Sequence, residues 1–600
     1  MERSSKVADG QFDGSIRTLE LLLKQSARHS HVVARAFSQG SWYQYSGRDF
    51  VSHMGRASSL WVQELPPVDS LREGSLLWLT KPSYGSWVSY MGALLSGYHV
   101  MFLPAQAGLE DVKWCAQYFK AIAIVTDMEP YAKELSTLDL PVFNVESMQW
   151  VPGDPHGEPE CLKRLKALQK KELLESPLKK GEHTSSEPAG ESESWEGSIP
   201  AAHGVGKMHF VSFGHDGFQK PESLHLDQLY VVAIHFLQQA NVPPSIFWKS
   251  MELLPLSNPF GHLSKVIGLL KNGVLGFLNE QADFETNWQI LRPSYLFVSP
   301  REMQKLTDYL KIQISNLQKL APRKLEKVLS QAGLTLGSTK ALKLSEGVFD
   351  LASRSLRALQ RWSLGKETLD EILGDLRFVV HGLAPASSTA QSTLQQLGVP
   401  LMESYGVTAA GGMLSVNSYD APHGGLVGYP LAHVSFRLGA QSMLEYRINH
   451  KLFQPAGKWI ETGDIAQMTP FGFSITGRKR HLFLTTGGTL VSPVQMEHAF
   501  VKFGFIKEIC IIGAQRPYLV ALVDVDPEFK HQHTPEEIQY ALESAMNEVN
   551  SGLARNVTVK KWKMVDKPFL DSDGERLPNG LLNRFRILET RKTEIENLYL

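Results

Sequence analysis

The chain has little cysteine, no dominant charge and no long apolar run. Its three cysteines, Cys115, Cys161 and Cys510, stand far apart in unrelated contexts. They form neither a disulfide framework nor a metal knuckle, which fits a reducing, cytoplasmic compartment. The formal net charge is -1, so the bulk electrostatics give no hint of a nucleic-acid partner. No apolar stretch reaches the length of a membrane span. The opening "MERSSKVADGQFDGS" lacks the apolar centre of a secretory signal. What is present is core material: 43% of the 600 residues are hydrophobic and 10% aromatic. That composition and length predict a soluble protein with a sizeable core and more than one domain.

Between about residues 17 and 150 short apolar runs alternate with helical spacing. "SLLWLT", "HVMFLP" and "AIAIVTD" read as buried strands; "TLELLLKQSARHS", "YGSWVSYMGALLSGY" and "VKWCAQYFK" read as helices. This alternation predicts an α/β fold with parallel and mixed sheets covered by helices. Residues 152–200 are rich in Lys, Glu, Ser, Pro and Gly and read as a linker. Residues 301–372 read as a polar helical insertion with an excess of Lys and Arg up to Arg361. A solvated insertion and a peripheral contact with an anionic membrane both fit that segment. After Gly477 the pattern changes to a compact α+β arrangement. The expectation is a large domain over 1–476 and a small C-terminal domain over 477–600.

The stretch "VSFGHDGFQK" at 211–220 spaces Gly214, Gly217 and Lys220 like a phosphate-holding loop. It is followed in order by "LRFVVHGLAPAS" at 376–387, "MESYGVTAAGG" at 402–412 and "GLVGYPLAHVSFRL" at 425–438. "KWIETGD" at 458–464, "ITGRKRHLFLTTGGTLVSPVQME" at 475–497 and "LPNGLLNRFRILETRKTEIENLY" at 577–599 complete the series. This succession resembles the adenylate-forming superfamily of acyl-CoA synthetases, adenylation domains and luciferases. Within it the chain is most similar to long-chain fatty acyl-CoA synthetases of the bubblegum type. The resemblance implies that a fatty acid attacks ATP to give an acyl-adenylate, that the small domain then rotates, and that coenzyme A displaces AMP. ATP or AMP, magnesium and coenzyme A are thereby the implied ligands, with a fatty acid or acyl-adenylate as the small-molecule partner.

Carried over residue by residue, the resemblance makes Ser212, Gly214, Gly217 and Lys220 the retained part of the phosphate loop. His215 and Asp216 replace two hydroxyl residues there. His215 as a cation would donate to phosphate; Asp216 would repel it unless protonated or bridged by a metal. The alternative is a loop that keeps its turn without its cargo. Gly382 and Ala384 match the segment that lies against adenine, with Leu383 in a place that is usually small. Tyr405 would stack on the base beside Gly406, and Thr408 would reach the α-phosphate. Asp464 would bind the ribose hydroxyls and Arg478 would make a second sugar or phosphate contact. Ala409 stands where the family carries its magnesium-binding glutamate, and a methyl group cannot ligate magnesium. Leu581 stands where the family carries its catalytic lysine, with Arg584 and Arg586 the nearby cations that would have to substitute. Three phosphate contacts are therefore altered, each of a kind worth roughly 3–4 kcal/mol in a transition state. Two functions fit: a ligase with an unusual active site, or a catalytically silent homologue that binds a lipid, nucleotide or protein partner.

Overall fold

In this computed structural model the described residues fall mainly within 31–150, 206–320 and 372–600, with short gaps that include 66–74, 215–216, 219–220 and 577–581. The linker-like 152–200, most of the polar insertion and the helix expected near residue 20 lie outside them.

The fully buried strand Ser75–Leu79 shows why the first sheet forms where it does. Every one of its side chains is covered, so both faces of the strand must be packed. The helix Tyr84–Leu95, capped by Ser83 accepting from the Ser86 amide, and the helix Leu109–Tyr118 form the crossovers. The first joins parallel neighbours, and the second carries the chain from His99–Phe102 past Ser75–Leu79 to the parallel strand Ala121–Thr126 on its other side. The resulting seven-stranded sheet runs Glu222–Leu224, Met208–Phe210, His99–Phe102, Ser75–Leu79, Ala121–Thr126, Val142–Asn144, Gln149–Trp150. Only its two outermost pairs are antiparallel.

A second sheet begins with three parallel strands, Tyr295–Val298, Phe378–His381 and Leu401–Tyr405, and ends with two short antiparallel ones. The helices Leu226–Gln239 and Pro259–Leu270 share one apolar core with both sheets, in which Phe236, Phe260 and Phe297 meet. The strands Val434–Leu438, Met443–Ile448, Ile460–Thr469 and Gly472–Arg478 follow as an antiparallel meander.

The chain then turns through Lys479–His481 into a separate three-stranded sheet, Ile506–Ile512, Leu519–Val525 and Val559–Met564. The central strand is buried along its whole length. Residues of helices Pro493–Phe500 and Pro535–Ser551 fill one face, and residues of the last two helices fill the other. The expected cut between 476 and 477 lies inside the strand Gly472–Arg478, just before that turn. The polar insertion begins as the helix Pro300–Leu320, on which Lys305 and Lys311 are exposed. Among the described residues no helix is long and apolar enough to cross a membrane.

Candidate functional site

The glycine loop folds as a short antiparallel hairpin. Phe213–Gly214 pairs with Gly217–Phe218, with Gly214 opposite Gly217. Ser212, His215, Asp216 and Lys220 lie outside the described residues. The hairpin leaves the C-terminal end of the strand Met208–Phe210, the edge of a parallel sheet at which ligands are usually held.

Gly382 and Ala384 follow the strand Phe378–His381. The Gly382 amide donates to the Val298 carbonyl at 3.1 Å. A Cβ on Gly382 would stand 3.0 Å from the Ser404 hydroxyl and 3.1 Å from the Phe260 ring, so a side chain there would have to press both neighbours aside. Leu383 adopts φ +73 and is 37% exposed, a left-handed conformation that is unusual for a bulky residue.

Tyr405 ends the neighbouring strand, and Gly406 lets the chain turn back against Gly412. A Cβ on Gly406 would lie 2.2 Å from the Gly412 carbonyl oxygen. Thr408 and Ala409 occupy the short helical turn that follows, both half-buried. Behind them Glu403, 2% exposed, accepts from the amides of Gly425 at 2.8 Å and Ala386 at 3.2 Å and from Gln391 Nε2 at 3.2 Å. Burial pushes its carboxyl up to about 7. Glu403 thus ties the Ala384–Ser387 loop to the strand that carries Tyr405. Motif matching missed it, although a glutamate inside an apolar strand is itself a signal of a buried polar role.

The structure brings Tyr405, Asp464 and Arg478 together. Tyr405 Oη donates to Asp464 Oδ2 at 2.6 Å, and Arg478 Nε donates to Asp464 Oδ1 at 2.6 Å. Asp464 and Arg478 are cross-strand partners in the meander, so the sheet itself fixes that contact. Asp464 is 1% exposed, and its amide donates to Thr462 Oγ1 at 3.0 Å. Burial, then the facing Asp464 carboxylate, hold the Tyr405 hydroxyl well above its ordinary value, so it remains a proton donor. Phe436 meets the Tyr405 ring edge-on at 6.3 Å.

Arg584 and Arg586 are both engaged within the C-terminal unit. Arg584 pairs with Glu497 and donates through Nη1 to the Ile511 carbonyl at 3.1 Å. Arg586 donates through Nε to the Asp573 carbonyl at 3.2 Å and through Nη1 to Glu589 at 2.9 Å. Leu581 lies outside the described residues. Among the described residues no group of three or more His, Cys, Asp or Glu is placed to hold a metal ion, and Ala409 supplies none of the oxygen ligands that magnesium requires.

Residues 481–600 match the AMP-binding enzyme C-terminal domain family. The long-chain-fatty-acid–CoA ligase FadD15 of Mycobacterium tuberculosis is 22% identical over 420 residues, covering 63% of this chain and 67% of that protein. The chain is a homologue of the long-chain fatty-acid–CoA ligases. A further homologue, the ligase ACSBG1 of Bos taurus, is 30% identical over 175 residues, 24% of each chain. The fold of this ligase homologue is that of solved adenylate-forming proteins. The ATP-bound RpMatB-BxBclM chimera B3 superposes with a TM-score of 0.62 over 96% of this chain and 99% of its own, at 18% identity. The AMP-bound A-PCP didomain of carboxylic acid reductase from Segniliparus rugosus gives 0.65 over 98% and 82%, at 15% identity.

Proposed function

We propose that this ligase homologue binds an adenine nucleotide, with Asp464 on the ribose and Tyr405 at the base, together with a long-chain acyl ligand. We further propose that it forms acyl-adenylate slowly or not at all. The observation that carries this reading is the Tyr405–Asp464–Arg478 cluster. The residues assigned to the sugar are assembled on paired strands, whereas Ala409 stands at the expected metal-ligand position, Leu581 at the expected lysine position, and among the described residues Arg584 and Arg586 are engaged elsewhere. Joining a carboxylate to a polyanion needs charge placed at the α-phosphate, and Arg584 and Arg586 are spent on the C-terminal fold.

ATP or AMP as ligand, and a fatty acid and coenzyme A as the associated chemistry, come from what the homologues are called. The role of 477–600 as a mobile small domain, turning at Lys479–His481, belongs to the same proposal. Calorimetric titration with AMP tests the binding half. The expected result is saturable binding that Asp464→Ala weakens measurably with the fold intact. Equal affinity in the two proteins would remove Asp464 from the site.

A further inference from the structure

We infer that the Tyr405 hydroxyl competes with a ribose diol for the Asp464 carboxylate, and so suppresses the selection of ribose over deoxyribose sugars. The inference rests on the nucleotide reading above and concerns the selectivity of that same site.

Both Asp464 oxygens already accept short hydrogen bonds, one from Tyr405 Oη and one from Arg478 Nε, each at 2.6 Å. A carboxylate has further lone pairs, but with Asp464 only 1% exposed no free surface leads to them. A sugar hydroxyl can reach Asp464 only where a present donor withdraws. Strand register places Arg478 opposite Asp464, and although its side chain is 44% exposed it holds the carboxylate as a charged pair. Tyr405 brings a neutral hydroxyl, so its bond to Asp464 is weaker than the Arg478 ion pair and is the one a sugar hydroxyl would displace.

The exchange replaces one hydroxyl–carboxylate bond with another, so it gains little. A nucleotide with the diol then holds only a small advantage over one without it. Replacing Tyr405 by phenylalanine keeps the ring against Phe436 and removes the competitor. The diol then fills an unmet acceptor, an interaction with a charged group that is worth on the order of tenfold or more in affinity.

The test is calorimetric titration of wild type and Tyr405→Phe with AMP and with 2′,3′-dideoxy-AMP. Thermal melting verifies that the variant is folded. The wild type should separate the two ligands by less than about fivefold, and the variant by about tenfold or more. Adding Asp464→Asn to Tyr405→Phe should collapse that ratio again. A structural effect of the substitution would change both affinities together and leave the ratio where it was. An unchanged ratio, or a wild type that already discriminates as strongly as the variant, overturns the inference while leaving the nucleotide site in place. Failure of both ligands to bind either protein overturns the nucleotide reading, and this inference with it.

Discussion

The guanidinium of Arg584 donates to the carboxylate of Glu497, and both side chains are largely buried within the C-terminal unit. Glu497 lies on the helix Pro493–Phe500, and its second oxygen accepts from the Ile511 amide at 2.7 Å. Burial pushes the Glu497 carboxyl up and Arg584 counters that push. The pair thus joins the helix Arg584–Thr590 to a strand and to a second helix.

Arg584 is accordingly a structural residue. Arg584→Ala leaves a buried carboxylate without its cation and is expected to destabilise the C-terminal unit by about 3 kcal/mol. AMP affinity should be unchanged under conditions where the protein stays folded. Chemical denaturation and AMP titration of the one variant separate the two effects. Loss of AMP binding by a fully folded Arg584→Ala would return this arginine to the nucleotide site.

Gly406→Ala should be costly in both respects. The added Cβ meets the Gly412 carbonyl at 2.2 Å, a backbone atom that cannot move aside as a flexible side chain would. Forcing apart such a contact costs about 1–3 kcal/mol and displaces Tyr405 from Asp464. A lower urea midpoint together with weaker AMP binding is expected. An unchanged midpoint would show that the turn has slack.

Much of this arrangement is legible in the sequence because backbone requirements leave residue-level marks. The buried strands announce themselves as short apolar runs, and Gly406 marks a place where only glycine fits. The contact between Tyr405 and Asp464 is not legible, since 59 residues separate them and only the meander brings them together. Nor is the left-handed Leu383, whose side chain would suit an ordinary strand end. The sequence reads 211–220 as a phosphate-loop turn, with or without its cargo; the hairpin pairing of Gly214 with Gly217 depends on strand register that glycine spacing does not specify. The Arg584–Glu497 pair likewise joins residues 87 apart, which no local motif connects.

Glu403 gives the stability a defined pH dependence. Its carboxyl titrates at about 7 in the fold and at about 4.5 when exposed, so folding favours the protonated form. Its contribution is fully present below about pH 4.5 and is lost as the pH rises through about 7. Glu508, also pushed up to about 7 by burial, adds a decline of the same sign. Glu403→Gln should flatten the fall in urea midpoint over that window, whatever offset the amide introduces. A slope as steep as that of the wild type would mean that Glu403 is ionised throughout.

The central claim is that the sugar side of this site is intact while activation at the phosphates is not. Pyrophosphate exchange measures that activation directly: labelled pyrophosphate is incorporated into ATP in the presence of a long-chain fatty acid, with Asp464→Ala as the background. The account predicts exchange at the level of that variant, alongside AMP binding that the variant weakens. Sustained exchange by the wild type, abolished in Asp464→Ala, would contradict it and establish a working ligase.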